Sequence, residues 1–465
     1  MKNFRDIDFE KYNAVYFIGV GGIGMSALAR YFLTLKWSVA GFDKTETKLT
    51  KQLESEGLMI HYQDDIALVP QVCKEAAHTL IVYTPAVSTN HSEYQFFATN
   101  GFTILKRAQV LGLLTQFSKG LCVAGTHGKT TTSTLLAHIL NASPLKCNAF
   151  LGGISANFNS NLVSSTDSDF TVIEADEFDR SFLQLSPFAS IVTSTDADHL
   201  DIYGDEQIMF ESFQAYVDLI SDEGFLILKN GLKLKPHSKT ITYGVEDDQA
   251  DCSVYNIHFE KQRFLFDVRL RDVKWNAVEF GLPGIHNAEN ALACIIFAIE
   301  LGLNEEGIRA ALVSFKGVKR RFEYYIKSPE LVYIDDYAHH PTEIKSLIDS
   351  VKLLYPNQKI TAIFQPHLFS RTRDFLDGFS EQLSRVDDLL LMPIYPAREE
   401  PIEGVTSEAL LLKVSSETKG IYTPSEVLEH LIEVNSGVVL TIGAGDIDRL
   451  TQPIFELLTK RNAHK

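Results

Sequence analysis

Short apolar runs alternate along this chain with longer stretches in which apolar residues recur every three or four positions. That alternation predicts an α/β protein in which buried strands feed helices. Residues 14–19 read as a first strand entering a glycine turn, and residues 25–35 as the helix that follows. Ile81-Val82-Tyr83 reads as another strand. The first unit closes near residues 109–119, because Leu121 opens a new strand, loop and helix. The middle of the chain predicts strands at Thr171-Val172-Ile173 and Ile191-Val192-Thr193. Residues 225–280 are richer in strict alternation, as in Arg263-Phe264-Leu265-Phe266-Asp267-Val268, and read as half-buried β structure. A third unit begins near 317–321, with strands expected at 331–334, 360–364, 388–392 and 438–442. The pattern therefore predicts three domains, at 1–115, 116–316 and 317–465, without internal repeats.

A length of 465 residues supports that count. A hydrophobic content of 45% supplies ample core. The net charge of -17 argues against non-specific binding to nucleic acid or to a membrane surface. An anionic substrate must then be met by local Lys, Arg and N–H groups. Cys73, Cys122, Cys147, Cys252 and Cys294 show no paired spacing, which fits a reduced cytoplasm and offers no zinc or disulfide framework. The first residues show no secretory core, and no apolar run is long enough to span a bilayer.

The most informative stretch is Gly125-Thr126-His127-Gly128-Lys129-Thr130-Thr131-Thr132, set between the strand Leu121–Ala124 and a helical run. It has the build of a phosphate loop. Backbone N–H groups at the helix start cradle phosphate, the Lys reaches the outer phosphates, and a Thr hydroxyl takes Mg²⁺. It departs from the common pattern in having Val123 where a glycine is usual.

Gly19-Val20-Gly21-Gly22-Ile23-Gly24 forms a second glycine loop after a strand, with Asp43 at the end of the next strand. This is the dinucleotide fingerprint with its acidic ribose partner. Its physics requires only a diphosphate on a helix N-terminus, so a nicotinamide cofactor and a nucleotide sugar both satisfy it.

Glu174 ends a buried strand and is the expected Mg²⁺ ligand. Asp176, Glu177 and Asp179 read instead as an acidic helix start that complements the dipole. His199, within Asp196-Ala197-Asp198-His199-Leu200-Asp201, could hold a second metal or orient phosphate. Asn287 and Asn290 share one face of a helix start, where amides either read a purine edge or cap the helix. In the third unit, Arg320-Arg321, the loop Asp335–His340, the loop Gln365–Arg373 and Gly443-Ala444-Gly445-Asp446 fall beside strand ends, where α/β proteins gather ligand sites.

Taken together, these motifs resemble the Mur ligases of peptidoglycan synthesis, and within them the alanine-adding branch. The resemblance covers the whole chain in order: GVGGIGMSALA from Gly19, AGTHGKTTT from Ala124, EADEFDRSFL from Glu174, DADHLDIYG from Asp196, GIHNAENALA from Gly284, RRFEY from Arg320, DDYAHHPTEI from Asp335, QPHLFSRT from Gln365 and GAGDI from Gly443. It implies an N-terminal Rossmann-like UDP-binding domain, a central P-loop-type ATPase domain with a mixed sheet, and a C-terminal Rossmann-like domain. It implies a cytoplasmic enzyme, monomeric or weakly dimeric. ATP with Mg²⁺ would phosphorylate the lactyl carboxylate of UDP-N-acetylmuramate, and L-alanine would attack the acyl phosphate.

Carried over by residue, the resemblance puts the UDP-sugar on Gly19, Gly21, Gly22, Ile23, Gly24 and Asp43. It puts ATP on Gly125, Thr126, His127, Gly128, Lys129, Thr130 and Thr131, with Asn290 at adenine, Arg321 at phosphate and Asp336 at ribose. Lys129, Glu174 and His199 would be catalytic; Thr130, Glu174 and His199 would hold metal. Tyr337, His367 and Arg371 would shape the amino-acid pocket. Many members carry Arg where this chain has Leu368, which leaves the alanine carboxylate to other groups such as Arg371. The carbamylated lysine of later-acting members has no counterpart, since no Lys lies between Lys146 and Lys229. Two other readings stay open at this point: a peptide-recycling ligase of the same architecture, and a nicotinamide-dependent dehydrogenase built on the first glycine loop.

Overall fold

The computed structural model describes residues 7–462, apart from 86, 89, 197–202, 204, 262, 272 and 398. The chain divides into two compact units. One contains residues up to 256 together with 265–280 and 289–316; the other contains 257–264, 281–288 and 317 onward.

The first unit carries two sheets. The N-terminal sheet has five strands, β1 (Ala14–Ile18), β2 (Ser38–Phe42), β3 (Met59–His61), β4 (Thr79–Tyr83) and β5 (Thr103–Lys106). Their order is β3-β2-β1-β4-β5, and all neighbours run parallel. β1 is buried on both faces, as a central parallel strand must be. Its alternate side chains therefore enter different cores: Val15 and Phe17 join one, and Ala14, Tyr16 and Ile18 the other.

The second sheet has ten strands. They are β6 (Lys119–Ala124), β7 (Asn148–Ser155), β8 (Ser160–Val163), β9 (Phe170–Glu174), β10 (Pro187–Val192), β11 (Phe225–Lys229), β12 (Lys239–Val245), β13 (Cys252–Glu260), β14 (Arg263–Leu270) and β15 (Val273–Phe280). The order is β15-β14-β13-β12-β11-β10-β6-β9-β7-β8. β6 lies between β10 and β9 and runs parallel to both, so the ends of three strands open on one edge. One apolar cluster joins the two sheets of this unit, from Val15, Phe17 and Leu28 to Phe150, Phe182 and Tyr216.

The second unit holds a six-stranded sheet: β16 (Glu323–Lys327), β17 (Leu331–Asp336), β18 (Ile360–Phe364), β19 (Asp388–Leu391), β20 (Thr418–Ile421) and β21 (Gly437–Ile442). The order is β16-β17-β21-β18-β19-β20, with only the edge strand β16 antiparallel. The expected strands of the third unit thus lie where the apolar runs put them. The first helix, Ile23–Thr34, starts earlier than the apolar spacing indicated, because Gly22 takes the N-cap.

Candidate functional site

β6 delivers the chain into the turn Gly125–Gly128 and then into the helix Lys129–Asn141. Gly125 has φ +134 and Gly128 has φ +81, conformations that side-chain-bearing residues rarely adopt. Gly125 has no room for a side chain either, since a Cβ there would strike the Thr193 hydroxyl. The neighbouring strand end braces the turn. Ser194 Oγ accepts from the His127 N–H at 2.9 Å and bonds Thr126 Oγ1 at 2.8 Å. Thr193 Oγ1 donates to the His127 carbonyl. The Thr131 side chain is buried in the helix below.

Lys129 reaches across this turn. Its Nζ donates to the Gly125 carbonyl at 2.7 Å and to both oxygens of Glu177, at 2.8 and 2.6 Å. Burial works against the ammonium charge, but Glu177, Asp176 and Glu174 outweigh it, and the Lys129 pKa lies above the ordinary lysine value. Glu177 therefore differs from the expected acidic helix start. Its side chain is fully buried on Lys129. The segment after it, Phe178–Gln184, is a 3-10 stretch interrupted by Asp179 and Arg180 at φ 52 and 54. No regular helix dipole is on offer there for these acids to complement.

Glu174 ends β9 beside β6. Its Oε1 accepts from Thr130 Oγ1 at 3.1 Å, and its Oε2 accepts from the Gly152 N–H at 3.1 Å. A Cβ at Gly152 would run into this carboxylate, so the glycine lets the strand pass close. A hydroxyl and a carboxylate meeting at a helix N-terminus form a hard oxygen donor set. That set suits Mg²⁺, which takes one or two carboxylates plus water and phosphate. His199 lies outside the described residues; among those described, no cluster of His, Cys, Asp and Glu completes a metal site alone.

The two asparagines separate in role. Asn287 Nδ2 donates to the Pro283 carbonyl at 2.6 Å and fastens the start of its helix. Asn290 stands against the phosphate turn, its Oδ1 2.9 Å from where a Gly128 Cβ would be.

The first glycine loop closes on Asp43. The Gly21 N–H donates to Asp43 Oδ2 at 2.7 Å, and Gly19 has φ +90. Asp43, expected as the acidic ribose partner, here braces the glycine turn itself. Gly22 caps the helix that Ile23 and Gly24 begin, and Gly24 lies against the guanidinium of Arg107. A cavity of about 120 Å³ opens here. Its lining includes the apolar Ile23, Ala27, Leu111, Phe150 and Leu151 and the charged Arg107, Asp176 and Glu174. Arg107, Gly152 and Glu177 escaped the sequence reading. Each acts through a close approach between segments distant in the chain, and nothing in residue spacing reports such an approach.

In the second unit, β17, β21 and β18 are parallel neighbours, so the loops after Asp336, Ile442 and Phe364 share one edge. Arg320 is committed to structure: it pairs with buried Asp335 at 3.1 Å and donates to the Gly443 carbonyl at 2.6 Å. Arg321 lies over the Tyr337 ring at 5.2 Å and meets Glu343 at 3.5 Å. Asp336 accepts from the N–H groups of Phe322 at 2.7 Å and Ala338 at 2.8 Å. Burial still pushes its pKa up to about 6, against the pull of Arg321 and those N–H groups. His339 sits between Tyr337 and His367, with ring centroids 5.3 and 6.2 Å away. Burial lowers its pKa; Glu343 opposes that, and Arg371 adds to it. His367 stacks on Tyr395 at 5.7 Å. Leu368 adopts φ 71 and starts the short helix that carries Arg371. Tyr337, His367 and Arg371 therefore gather with His339 and Tyr395, two residues that the motif did not single out.

Three family models match the chain in order. "Mur ligase family, catalytic domain" covers residues 14–119, "Mur ligase middle domain" 123–298, and "Mur ligase, glutamate ligase domain" 320–445. The chain is 48% identical over 459 residues to the UDP-N-acetylmuramate–L-alanine ligase of Parabacteroides distasonis, covering 98% of this chain and 99% of that one. It is 46% identical over 455 residues to the enzyme of the same name from Cytophaga hutchinsonii, covering 97% of each. Among solved structures it is similar to a UDP-N-acetylmuramate–alanine ligase from Thermotoga maritima, with TM-score 0.82 and 26% identity over 97% of this chain and 100% of that one.

Proposed function

The chain belongs to the Mur ligase family, and on that premise we propose that it joins L-alanine to the lactyl carboxylate of UDP-N-acetylmuramate, with ATP converted to ADP and phosphate. The observation that carries this is near-half identity, end to end, to ligases of that name. The first glycine loop then holds a nucleotide sugar, and a nicotinamide is not required.

A carboxylate is a poor electrophile, and phosphorylation gives it a leaving group. A carboxylate oxygen attacks the γ-phosphorus and ADP departs. The alanine nitrogen attacks the resulting acyl carbon, loses a proton and expels phosphate from the tetrahedral intermediate. Positioning and charge neutralisation do most of this work. Lys129 supplies a fixed positive charge across the phosphate turn, kept ionised by Glu177. The turn's N–H groups, braced by Thr193 and Ser194, receive phosphate. Thr130 and Glu174 would hold Mg²⁺, which supplies further positive charge to the transferring phosphoryl group. Asn290 serves the nucleotide side of the same turn. In the second unit, Tyr337, His367 and Arg371 serve alanine. No described helix is long and apolar enough to cross a membrane.

The test is ADP release in the presence of ATP, Mg²⁺, UDP-N-acetylmuramate and single amino acids. Turnover with L-alanine is expected. Turnover with a tripeptide alone would move the chain to the recycling branch, and an NAD-dependent absorbance change would sink the ligase reading.

A further inference from the structure

Arg107 lines the cavity that lies between the first glycine loop and Glu174. It opens the helix Arg107–Phe117, and its guanidinium occupies the space a Gly24 side chain would enter. It shares one cavity with Gly24, Gly152 and Glu174. Its carboxylate partner is Asp176, held through a single Nη2–Oδ2 contact of 3.3 Å, with the two side chains 24% and 35% exposed. A guanidinium grips a carboxylate best through two parallel N–H bonds. The long one-point contact is therefore a weak hold, and a partly exposed pair of this kind contributes little to stability.

The cavity's chemistry is that of a short branched acid. Its lining combines apolar side chains, among them Ile23, Ala27 and Leu111, with the guanidinium of Arg107. A lactyl arm has both faces, a methyl and a carboxylate. Glu174 and Asp176 would repel that carboxylate if Arg107 did not offset them.

We propose that Arg107 binds the lactyl carboxylate of the nucleotide-sugar substrate, exchanging Asp176 for it, while the lactyl methyl rests on Ile23, Ala27 and Leu111. This rests on the ligase reading above and names the residue that sets the reacting group beside Glu174. Asp176 acts as an internal competitor for the same guanidinium.

UDP-N-acetylglucosamine lacks the lactyl arm and serves as the control ligand. Calorimetric titration should show that Arg107→Ala weakens UDP-N-acetylmuramate by about 30-fold, with UDP-N-acetylglucosamine changed by less than about twofold. Arg107→Lys should recover part of the loss, and Asp176→Asn should tighten UDP-N-acetylmuramate alone. Equal weakening of both ligands by Arg107→Ala would assign Arg107 to the diphosphate and overturn the proposal. So would unchanged binding of UDP-N-acetylmuramate in Arg107→Ala, or loss of it in Asp176→Asn. If the unmodified enzyme released no ADP with UDP-N-acetylmuramate and L-alanine, the ligase reading itself would fall. That result is separate from the binding comparison.

Discussion

Lys129 holds Glu177 through both carboxylate oxygens, at 2.8 and 2.6 Å, with the Glu177 side chain wholly buried. The pair keeps the lysine charged and stretched across the phosphate turn. It also makes the fold depend on a residue assigned to catalysis. Lys129→Ala should abolish ADP release and strip the buried Glu177 carboxylate of its ammonium partner, a loss of about 3 kcal/mol or more. Adding Glu177→Gln should restore most of the melting temperature without restoring turnover. Thermal unfolding and ADP release on the single and double variants check this; a fully stable Lys129→Ala protein would contradict it.

Gly152→Ala should act on the metal site with little effect on the fold. The added methyl would meet the Glu174 carboxylate, which now accepts from the Gly152 N–H. The Mg²⁺ concentration for half-maximal ADP release should rise about tenfold, equivalent to about 1.4 kcal/mol. A Mg²⁺ titration reads it, and an unaltered midpoint would place Glu174 outside metal binding.

Gly128→Ala tests the turn. The backbone there has φ +81, and a Cβ would lie 2.9 Å from Asn290 Oδ1. The strain alone costs about 1–2 kcal/mol. The expected result is weaker binding of an ATP analogue with unchanged affinity for UDP-N-acetylmuramate, measured by titration of each.

Stability should fall as pH rises through neutrality, because of Glu93. This carboxyl is fully buried, bonded by Tyr16 at 2.6 Å and 3.4 Å from His61, with Asp64 and Asp65 nearby. Burial raises its pKa from 4.5 to about 7. The folded state then keeps a proton that the unfolded chain has released. Its stabilising effect is complete below about pH 4.5 and is lost as pH climbs through about 7, a span worth up to about 3 kcal/mol. Glu93→Gln should flatten that slope in denaturant titrations between pH 5 and 8. An unchanged slope would show that Glu93 is already ionised in the folded protein.

The apolar rhythm was enough to place the four inner strands of the six-stranded sheet, because a buried parallel strand needs an unbroken apolar run. The strand at Ile360–Phe364 coincides with its run. Glycines were legible for a related reason: Gly125 and Gly128 occupy conformations that few other residues tolerate. The bracing side chains were not legible. Glu177 looked like its acidic neighbours, and only the packing of its segment against the phosphate turn shows it facing Lys129.

The sequence by itself determined the α/β class, the two glycine loops and the presence of a lysine, a threonine and a strand-end acid suited to phosphoryl chemistry. These depend on residue type and local spacing. The tertiary structure alone decided which acid faces Lys129, that Gly152 holds Glu174, and that Arg107 shares a cavity with both Gly24 and Glu174. Each of those facts joins segments distant in the chain. Their proximity comes from the order in which parallel strands pair, and that order is set by the packing of whole sheets.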